Sequence, residues 1–94
     1  MKTILISKYD SAKSFYNKAI VEEDEKSIKL YSYNTLVAEI RKDLENSLVL
    51  YGWFSMTTSR HINEFIQQNG FNKMSKAEIN TYIAEGKRLK AGER

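Results

Sequence analysis

The sequence has 94 residues, of which 41% are hydrophobic, 15 are basic and 12 are acidic, and it contains no cysteine. A chain of this length makes one domain, and without cysteine it has neither a disulfide framework nor a thiolate metal site, as is usual in a reducing cytoplasm. No apolar run approaches the ~20 residues of a membrane span, and Met1 to Ser7 is too short for the apolar region of a signal peptide. We therefore expect a cytoplasmic protein.

The basic excess lies at one end of the chain. Residues 87–94 hold four of the basic residues and one of the acidic residues, which leaves eleven of each in residues 1–86. The sequence thus predicts a neutral α+β domain over residues 1–86 and a basic, solvated tail over residues 87–94. A polyanion-binding protein normally carries its basic excess on the folded surface, so this distribution is not typical of one.

The first half of the chain predicts strands. Met1 to Ser7 indicates a short first strand, and the alternating pattern of Phe15 to Val21 indicates a second. The acidic run Glu22 to Glu25 is expected to form a solvated hairpin tip. It is a poor metal site because no glycine is present to bend the backbone around an ion.

A long extended segment follows. Ser27 to Arg41 is too long for a typical strand, and we expect a bulge at Asn34 to bend it. A tight turn at Tyr33 and Asn34 is the alternative, which we disfavour because this pair is a poor hairpin dipeptide. Ser47 to Ser55 predicts the last strand.

Two helices are expected after the strands. The spacing of Ile62, Phe65 and Ile66 predicts the first helix, which Gly70 and Phe71 end in a Schellman arrangement. Hydroxyl side chains are available to cap its start, from Thr57, Thr58 and Ser59.

The second helix has the strongest local signal in the chain. Ser75 and Glu78 predict a capping box, with a hydrophobic staple from Met74 to Ile79, and Gly86 ends the helix. The element order predicts an α+β fold, in which an antiparallel β-meander of three to four strands is followed by two C-terminal helices packed on one face.

Aromatic residues are expected on the other face of that sheet. Strand alternation places the candidate partner-binding residues there, namely Tyr31, Tyr33, Tyr51 and Trp53. They would be partly exposed, covered by the segment from Met1 to Ser14, or covered by a partner. Exposed Tyr and Trp clusters are typical of binding hot spots.

The sequence offers little for catalysis, metal binding or cofactor binding. His61 is the only histidine, and at a helix start the helix dipole and Arg60 lower its pKa, so we expect no catalytic residue, no metal and no cofactor. The helix start is instead a candidate anion-binding site, formed by residues Thr57 to His61. Free backbone N–H groups, hydroxyls and the Arg60 guanidinium together favour a phosphate or carboxylate there. Ordinary capping is the alternative explanation of this segment, and no Gly-rich phosphate loop is present.

Three segments resemble a known group of proteins. They are Tyr9 to Tyr16, Ser32 to Ala38 and, most specifically, Ser55 to Phe65 with its SxTTSRHINEF motif. The chain resembles a family of small uncharacterised proteins encoded by tailed phages, prophages and mobile elements. The resemblance implies an accessory protein in a bacterial host cytoplasm, a setting in which small proteins often inhibit host machinery such as CRISPR nucleases.

Three functional hypotheses follow. The first is a non-enzymatic protein that binds a host protein or nucleoprotein complex and inhibits a nucleic-acid-handling defence complex, as an anti-CRISPR protein does. The second is direct binding of DNA or RNA, with the aromatic residues stacking on bases while Arg60 and the tail residues Lys87, Arg88 and Lys90 hold phosphates. The third is a structural or self-associating protein.

Overall fold

The computed structural model describes residues 1–10, 15, 18–51 and 56–90. They form an α+β fold, in which a five-stranded antiparallel meander is followed by two C-terminal helices. The strands are β1 (Lys2–Ile4), β2 (Ala19–Glu23), β3 (Ser27–Ser32), β4 (Thr35–Arg41) and β5 (Ser47–Leu50), and the helices are α1 (Met56–Gln68) and α2 (Lys76–Ala84). The fold class predicted from the sequence is confirmed.

The strand count is higher than predicted because the segment from Ser27 to Arg41 is two strands. Tyr33 and Asn34 have φ angles of 50° and 67°, which join β3 to β4 by a two-residue turn. Positive φ at both central residues defines the type I′ turn, whose twist matches that of the flanking strands. The predicted bulge at Asn34 is therefore wrong. The irregularity in this pairing lies at Val37, where Leu30 pairs with Ala38 and Tyr31 with Leu36.

The core lies between the helices and one face of the sheet. Leu30, Ala38 and Leu48 from three neighbouring strands are fully buried there. Ile62, Phe65 and Ile66 of α1 and Ile79 and Tyr82 of α2 pack against the same cluster. The buried stripe predicted for α1 is thus the stripe that holds it on the sheet.

The predicted end of α1 and the predicted start of α2 are confirmed. After α1, Phe71 N–H donates to the Ile66 carbonyl (2.9 Å) and Gly70 N–H to the Gln67 carbonyl (3.3 Å), with Gly70 at φ 89°. This is the Schellman pattern. The start of α2 has the predicted capping box, in which Ser75 Oγ accepts from Glu78 N–H and Glu78 Oε1 accepts from Ser75 N–H.

The described part of the predicted tail is joined to the sheet. Leu48 N–H donates to the Leu89 carbonyl (2.8 Å) and Leu89 N–H donates to Tyr82 Oη (2.8 Å), while the Leu89 side chain packs against the core. Ser47 forms a β-bridge with Lys90. Leu89 and Lys90 therefore pair with the start of β5. Leu89 has apolar surface to bury, and β5 lies at the edge of the sheet.

The two helices are short. α1 has 13 residues and α2 has nine, whereas a bilayer crossing needs ~20 apolar residues. Within the part of the chain that the structure describes, no helix could therefore cross a membrane.

Candidate functional site

The face of the sheet opposite the helices, here called the helix-free face, carries an apolar row. The row crosses four strands in register, and its members are Ile4, Ile20, Tyr31 and Leu36. Ile4 is 49% exposed and the other three are half-buried. A continuous line of partly exposed apolar side chains thus runs from the edge strand β1 into β4.

A charged row lies beside the apolar row, two residues away along β1, β2 and β3 and three residues away along β4, where Val37 is the extra residue. Its members also pair in register, as Lys2, Glu22, Lys29 and Glu39. Their signs alternate from strand to strand, which is favourable between neighbours and leaves the row with no net charge. At its outer end Lys2 Nζ lies 3.7 Å from Glu22 Oε2.

Tyr51 lies beside Glu39, the member of the charged row on β4. Its hydroxyl donates to Glu39 Oε1 (2.6 Å), and burial, followed by this hydrogen bond and the Glu39 charge, raises the pKa of Tyr51 to about 12. Arg41 Nε lies 3.9 Å from Glu39 Oε2. The phenol therefore stays un-ionised and its hydroxyl is engaged within the protein.

A groove of about 480 Å³ opens on the helix-free face at the β1 side. It is lined by Lys2, Thr3, Ile4, Ile20, Tyr31 and Asn34. The groove combines members of both rows with the edge of the sheet. It is the concave part of the helix-free face.

The four predicted partner-binding aromatic residues do not form one cluster. Tyr31 and Tyr51 lie on the helix-free face as predicted by strand alternation. Tyr33 instead lies in the β3–β4 turn, with its ring centroid 5.7 Å from that of His61 and with Lys18 Nζ 5.9 Å above it. Trp53 lies outside the described residues. Tyr33 was misplaced because a bulge at Asn34 was preferred to the tight turn at Tyr33 and Asn34, which is what the structure contains.

The N-terminal segment runs toward α1 and not over the helix-free face. Tyr9 N–H and Asp10 N–H donate to Glu64 Oε1 (2.7 and 2.8 Å), and Gln68 Nε2 donates to the Ile6 carbonyl (2.6 Å). Burial works to raise the pKa of Glu64, but hydrogen bonds from Gln68 and from backbone N–H groups of this segment hold it below its ordinary value. The described part of the segment therefore leaves the helix-free face uncovered.

The predicted anion-binding residues at the start of α1 are mostly engaged with other parts of the protein. Arg60 forms a bidentate ion pair with Asp10, in which Nε lies 3.0 Å from Oδ2. Ser32 Oγ bonds both Thr58 Oγ1 (3.0 Å) and His61 Nδ1 (2.8 Å). Thr58, Ser59 and His61 are buried, and Thr57 is exposed. The segment thus fixes α1 to β3 and to the N-terminal segment.

His61 is a packed core residue. It is 1% exposed, and the Phe15 ring meets it edge-on at 4.6 Å. Burial and, secondly, the Arg60 charge lower its pKa, against a smaller opposite effect of Asp10. The imidazole is therefore neutral at pH 7 and shielded from any ligand in solution.

The basic residues of the predicted tail also have neighbours. Lys90 Nζ lies 2.6 Å from Glu45 Oε2 and Lys87 Nζ lies 3.9 Å from Glu85 Oε1. Arg88 donates to the Lys87 carbonyl. These residues lie beside β5, whereas Arg60 is held by Asp10. The structure therefore does not bring the predicted anion-binding residues into one basic patch.

The acidic run, expected to form a hairpin tip, is divided between β2, which holds Glu22 and Glu23, and the β2–β3 turn, which holds Asp24 and Glu25. Asp24 Oδ1 accepts from Lys26 N–H (2.8 Å) and Ser27 N–H (3.0 Å), and these two bonds lower the pKa of Asp24. Glu22 and Glu23 are ion-paired with Lys2 and Lys42. Among the described residues, no group of three His, Cys, Asp or Glu side chains could hold a metal ion.

Sequence reasoning missed Glu64 and the edge of β1. Glu64 sits on the buried side of α1, and its partners Tyr9 and Asp10 are more than 50 residues away, so no local pattern could have revealed it. The edge was detectable in part, because a short first strand over Met1 to Ser7 was expected. Its position at the rim of the sheet needed the strand order.

Comparison with known proteins gives a family but no activity. Residues 3–81 match a family of unknown function, DUF8033. No curated protein and no solved structure matches the chain. Because the match spans most of the 94 residues, from β1 into α2, the chain belongs to the DUF8033 family.

Proposed function

We propose that this protein is a non-enzymatic binding protein that recognises another protein through the helix-free face. The observation that carries the proposal is the apolar row, four partly exposed side chains in register across four strands. Aromatic and aliphatic side chains in the middle of a surface, bordered by charged residues, are the usual anatomy of a protein interface.

The charges of the helix-free face favour a protein over a nucleic acid. The charged row is neutral as a whole. Glu39 is largely buried, at 8% exposed, so a phosphate backbone would meet the carboxylate of Glu22 between the two lysines of the row. The predicted phosphate-binding residues Arg60 and Lys90 are ion-paired within the protein. Direct DNA or RNA binding therefore has less support than protein binding.

Catalysis has little support, because the candidate proton-transfer side chains are also engaged within the protein. The only histidine in the chain is His61, and its ring is buried and bonded to Ser32. Tyr51 is bonded to Glu39 and resists ionisation. Neither side chain is available to move a proton for a bound substrate.

The partner has to contact more than the two rows. Four strands spaced ~4.8 Å apart span about 15 Å, and two rows two residues apart span about 7 Å. This footprint is well below the roughly 800 Å² that each partner buries in a standard interface. Contact with the rim of the sheet is therefore part of the proposal.

We place this activity in the cytoplasm of a bacterial host. The absence of cysteine and the resemblance to phage-encoded proteins support that placement. Inhibition of a host defence complex stays a prediction that rests on the resemblance.

The test is an affinity capture from a bacterial lysate, with and without nuclease treatment, with tagged wild-type protein and two tyrosine variants. Tyr31→Ala removes the aromatic centre of the apolar row, whereas Tyr9→Ala, the matched control, removes a 60% exposed tyrosine from the segment that packs on α1. A hot-spot residue is worth ~2 kcal/mol or more, so Tyr31→Ala should raise the Kd of the complex about thirtyfold and strongly reduce capture when the tagged protein is dilute.

Circular dichroism has to show that both variants are folded. Capture that survives Tyr31→Ala, or that disappears once nucleic acid is digested, would contradict the proposal.

A further inference from the structure

We infer that the partner supplies an extended segment that pairs with the outer edge of β1 and carries an acidic residue beside Lys2 and an apolar residue beside Ile4. The inference rests on the proposed function and names the form and chemistry of the partner. Strand addition of this kind draws affinity from backbone hydrogen bonds and specificity from alternate side chains.

The backbone of β1 has an unpaired outer edge. Glu23 N–H donates to the Met1 carbonyl (2.8 Å) and Leu5 N–H donates to the Ala19 carbonyl (3.0 Å). The backbone hydrogen-bonding groups of Met1 and Leu5 therefore point toward β2. Hydrogen bonding alternates along an antiparallel strand, and Lys2 and Ile4 therefore direct their N–H and C=O groups outward. Among the described residues, no strand pairs with this edge.

The edge is bordered by a groove on each face of the sheet. The groove on the helix-free face contains Ile4 and Tyr31. A second groove of about 360 Å³ lies on the helix side and contains Leu5, Val21 and Phe65. Successive side chains of an added strand point to opposite faces, so both sets of side chains would enter a groove.

The two rows define which side chains an added strand should carry. Across the sheet the charged row alternates in sign and ends at Lys2, so the next position calls for a carboxylate. The apolar row ends at Ile4, which is 49% exposed, so the next position calls for an apolar side chain. In an antiparallel partner the two residues are separated by one residue, with the apolar one first.

A second copy of this chain fits the edge less well. Residues 1–9 contain no acidic residue, so β1 pairing with its own copy cannot place a carboxylate beside Lys2. Pairing centred on Lys2 would bring two like charges together, which is destabilising. An acidic and apolar segment of another protein meets the requirement.

The probe is an acetylated and amidated heptapeptide of sequence TVITEVT, titrated into ¹⁵N-labelled wild-type protein and followed by NMR. The amide signals of Lys2 and Ile4 should shift at millimolar peptide and their hydrogen exchange should slow. The peptide TVITKVT, in which lysine replaces glutamate, should bind about fivefold more weakly, the change expected for reversing one cross-strand charge pair.

Charge exchange provides the decisive comparison. Lys2→Glu should reverse the preference, so that TVITKVT binds more tightly than TVITEVT. Lys73→Glu is the matched control, because Lys73 is exposed in the connection between the helices and lines neither groove. The preference of this control should equal that of the wild type.

Three results would overturn the inference. They are the absence of shifts at Lys2 and Ile4, a preference that Lys2→Glu leaves unchanged, and a dimer in light scattering whose interface is β1. If Tyr31→Ala abolishes capture of the partner from the lysate while Lys2→Glu does not, the face binds without the edge and only this inference fails. If Tyr31→Ala leaves capture intact, the proposed function itself fails.

Discussion

His61 shows how one buried polar side chain can join two elements. Its Nδ1 bonds Ser32 Oγ at the end of β3, and the same hydroxyl bonds Thr58 one turn earlier in α1. Among the described residues, each buried side-chain nitrogen or oxygen of this cluster has a hydrogen-bond partner. A protonated imidazole here would lose solvation that these hydroxyls cannot replace.

We predict that stability falls as the pH is lowered through the range in which a free histidine titrates. Because burial lowers the pKa of His61 in the folded state, the unfolded chain binds a proton first, and the free energy of unfolding decreases as the pH falls below about 6.5. The decrease continues until the pH reaches the lowered pKa of the folded state.

Urea unfolding at intervals between pH 7 and pH 5 measures this dependence. Since the chain has a single histidine, His61→Gln should be less stable at pH 7 but should have a flatter profile between pH 6.5 and pH 5. Equal slopes for the two proteins would show that His61 is not the group responsible.

The β3–β4 turn is the element in which prediction and structure differ most. Tyr33 and Asn34 both adopt positive φ, which costs a residue with a Cβ about 1–2 kcal/mol unless it is Asn or Asp. Asn34 is suited to its position. Tyr33 is less suited to its position, and the packing of its ring against His61 is a favourable contact that works against the cost.

We predict that the identity of residue 34 controls the stability of this hairpin. Asn34→Gly should be neutral or stabilising by about 0.5 kcal/mol, and Asn34→Val should destabilise by about 2 kcal/mol, because a β-branched residue resists the left-handed region. Asn72→Val is the control, since Asn72 is exposed and outside that region. Chemical denaturation of the three variants tests the prediction, which would be refuted by equal losses for the two valine variants.

Local signals in the sequence predicted the elements that depend on neighbouring residues. The capping box at Ser75 and the Schellman end at Gly70 are made within a few residues, and both were predicted. The turn at Tyr33 and Asn34 was only the alternative to a bulge, because this dipeptide is a poor hairpin signal. The ring contact of Tyr33 is with His61, 28 residues later, and a local pattern contains no information about that contact. The same is true of the pairing of Leu89 with β5.

The C-terminal segment should contribute to folding, contrary to its expected role as a free tail. Removal of residues after Gly86 deletes the hydrogen bonds from Lys87 N–H to the Tyr82 carbonyl, from Leu48 N–H to the Leu89 carbonyl and from Leu89 N–H to Tyr82 Oη. It also removes the half-buried Leu89 side chain from the core. Losing these hydrogen bonds and this apolar burial should lower the free energy of unfolding by about 2 kcal/mol. In a domain of this size, that change lowers Tm by about 10 °C.

A thermal unfolding series measures this contribution. Leu89→Ala should account for about half of the loss, while Arg88→Ala, its exposed neighbour, should change Tm by less than about 2 °C. An unchanged Tm after truncation at Gly86 would restore the interpretation of residues 87–94 as a free basic tail.

At the scale of the whole molecule, charge is distributed in short-range pairs. Lys2, Lys42, Arg60 and Lys90 each lie within ion-pair distance of a carboxylate. The sequence predicted a neutral body over residues 1–86 from counts alone. It could not show which cations are paired, because most of these partners are distant in sequence and are brought together by the meander and by α1.

The last prediction concerns the salt dependence of the complex with the partner. A complex held by six to ten phosphate contacts loses about 10³ to 10⁵ in affinity between 50 and 200 mM salt. An apolar row beside a neutral charged row releases few counterions, so we expect Kd to rise by less than about tenfold over the same range.

Isothermal titration of the captured partner at three salt concentrations measures this rise, with a single-stranded and a duplex oligonucleotide as comparison ligands. The oligonucleotides should bind only weakly and lose their affinity with salt. A partner complex with the steep slope of a polyanion, together with tight oligonucleotide binding that is weakened by Arg88→Ala, would instead assign the protein to nucleic-acid binding through its basic end.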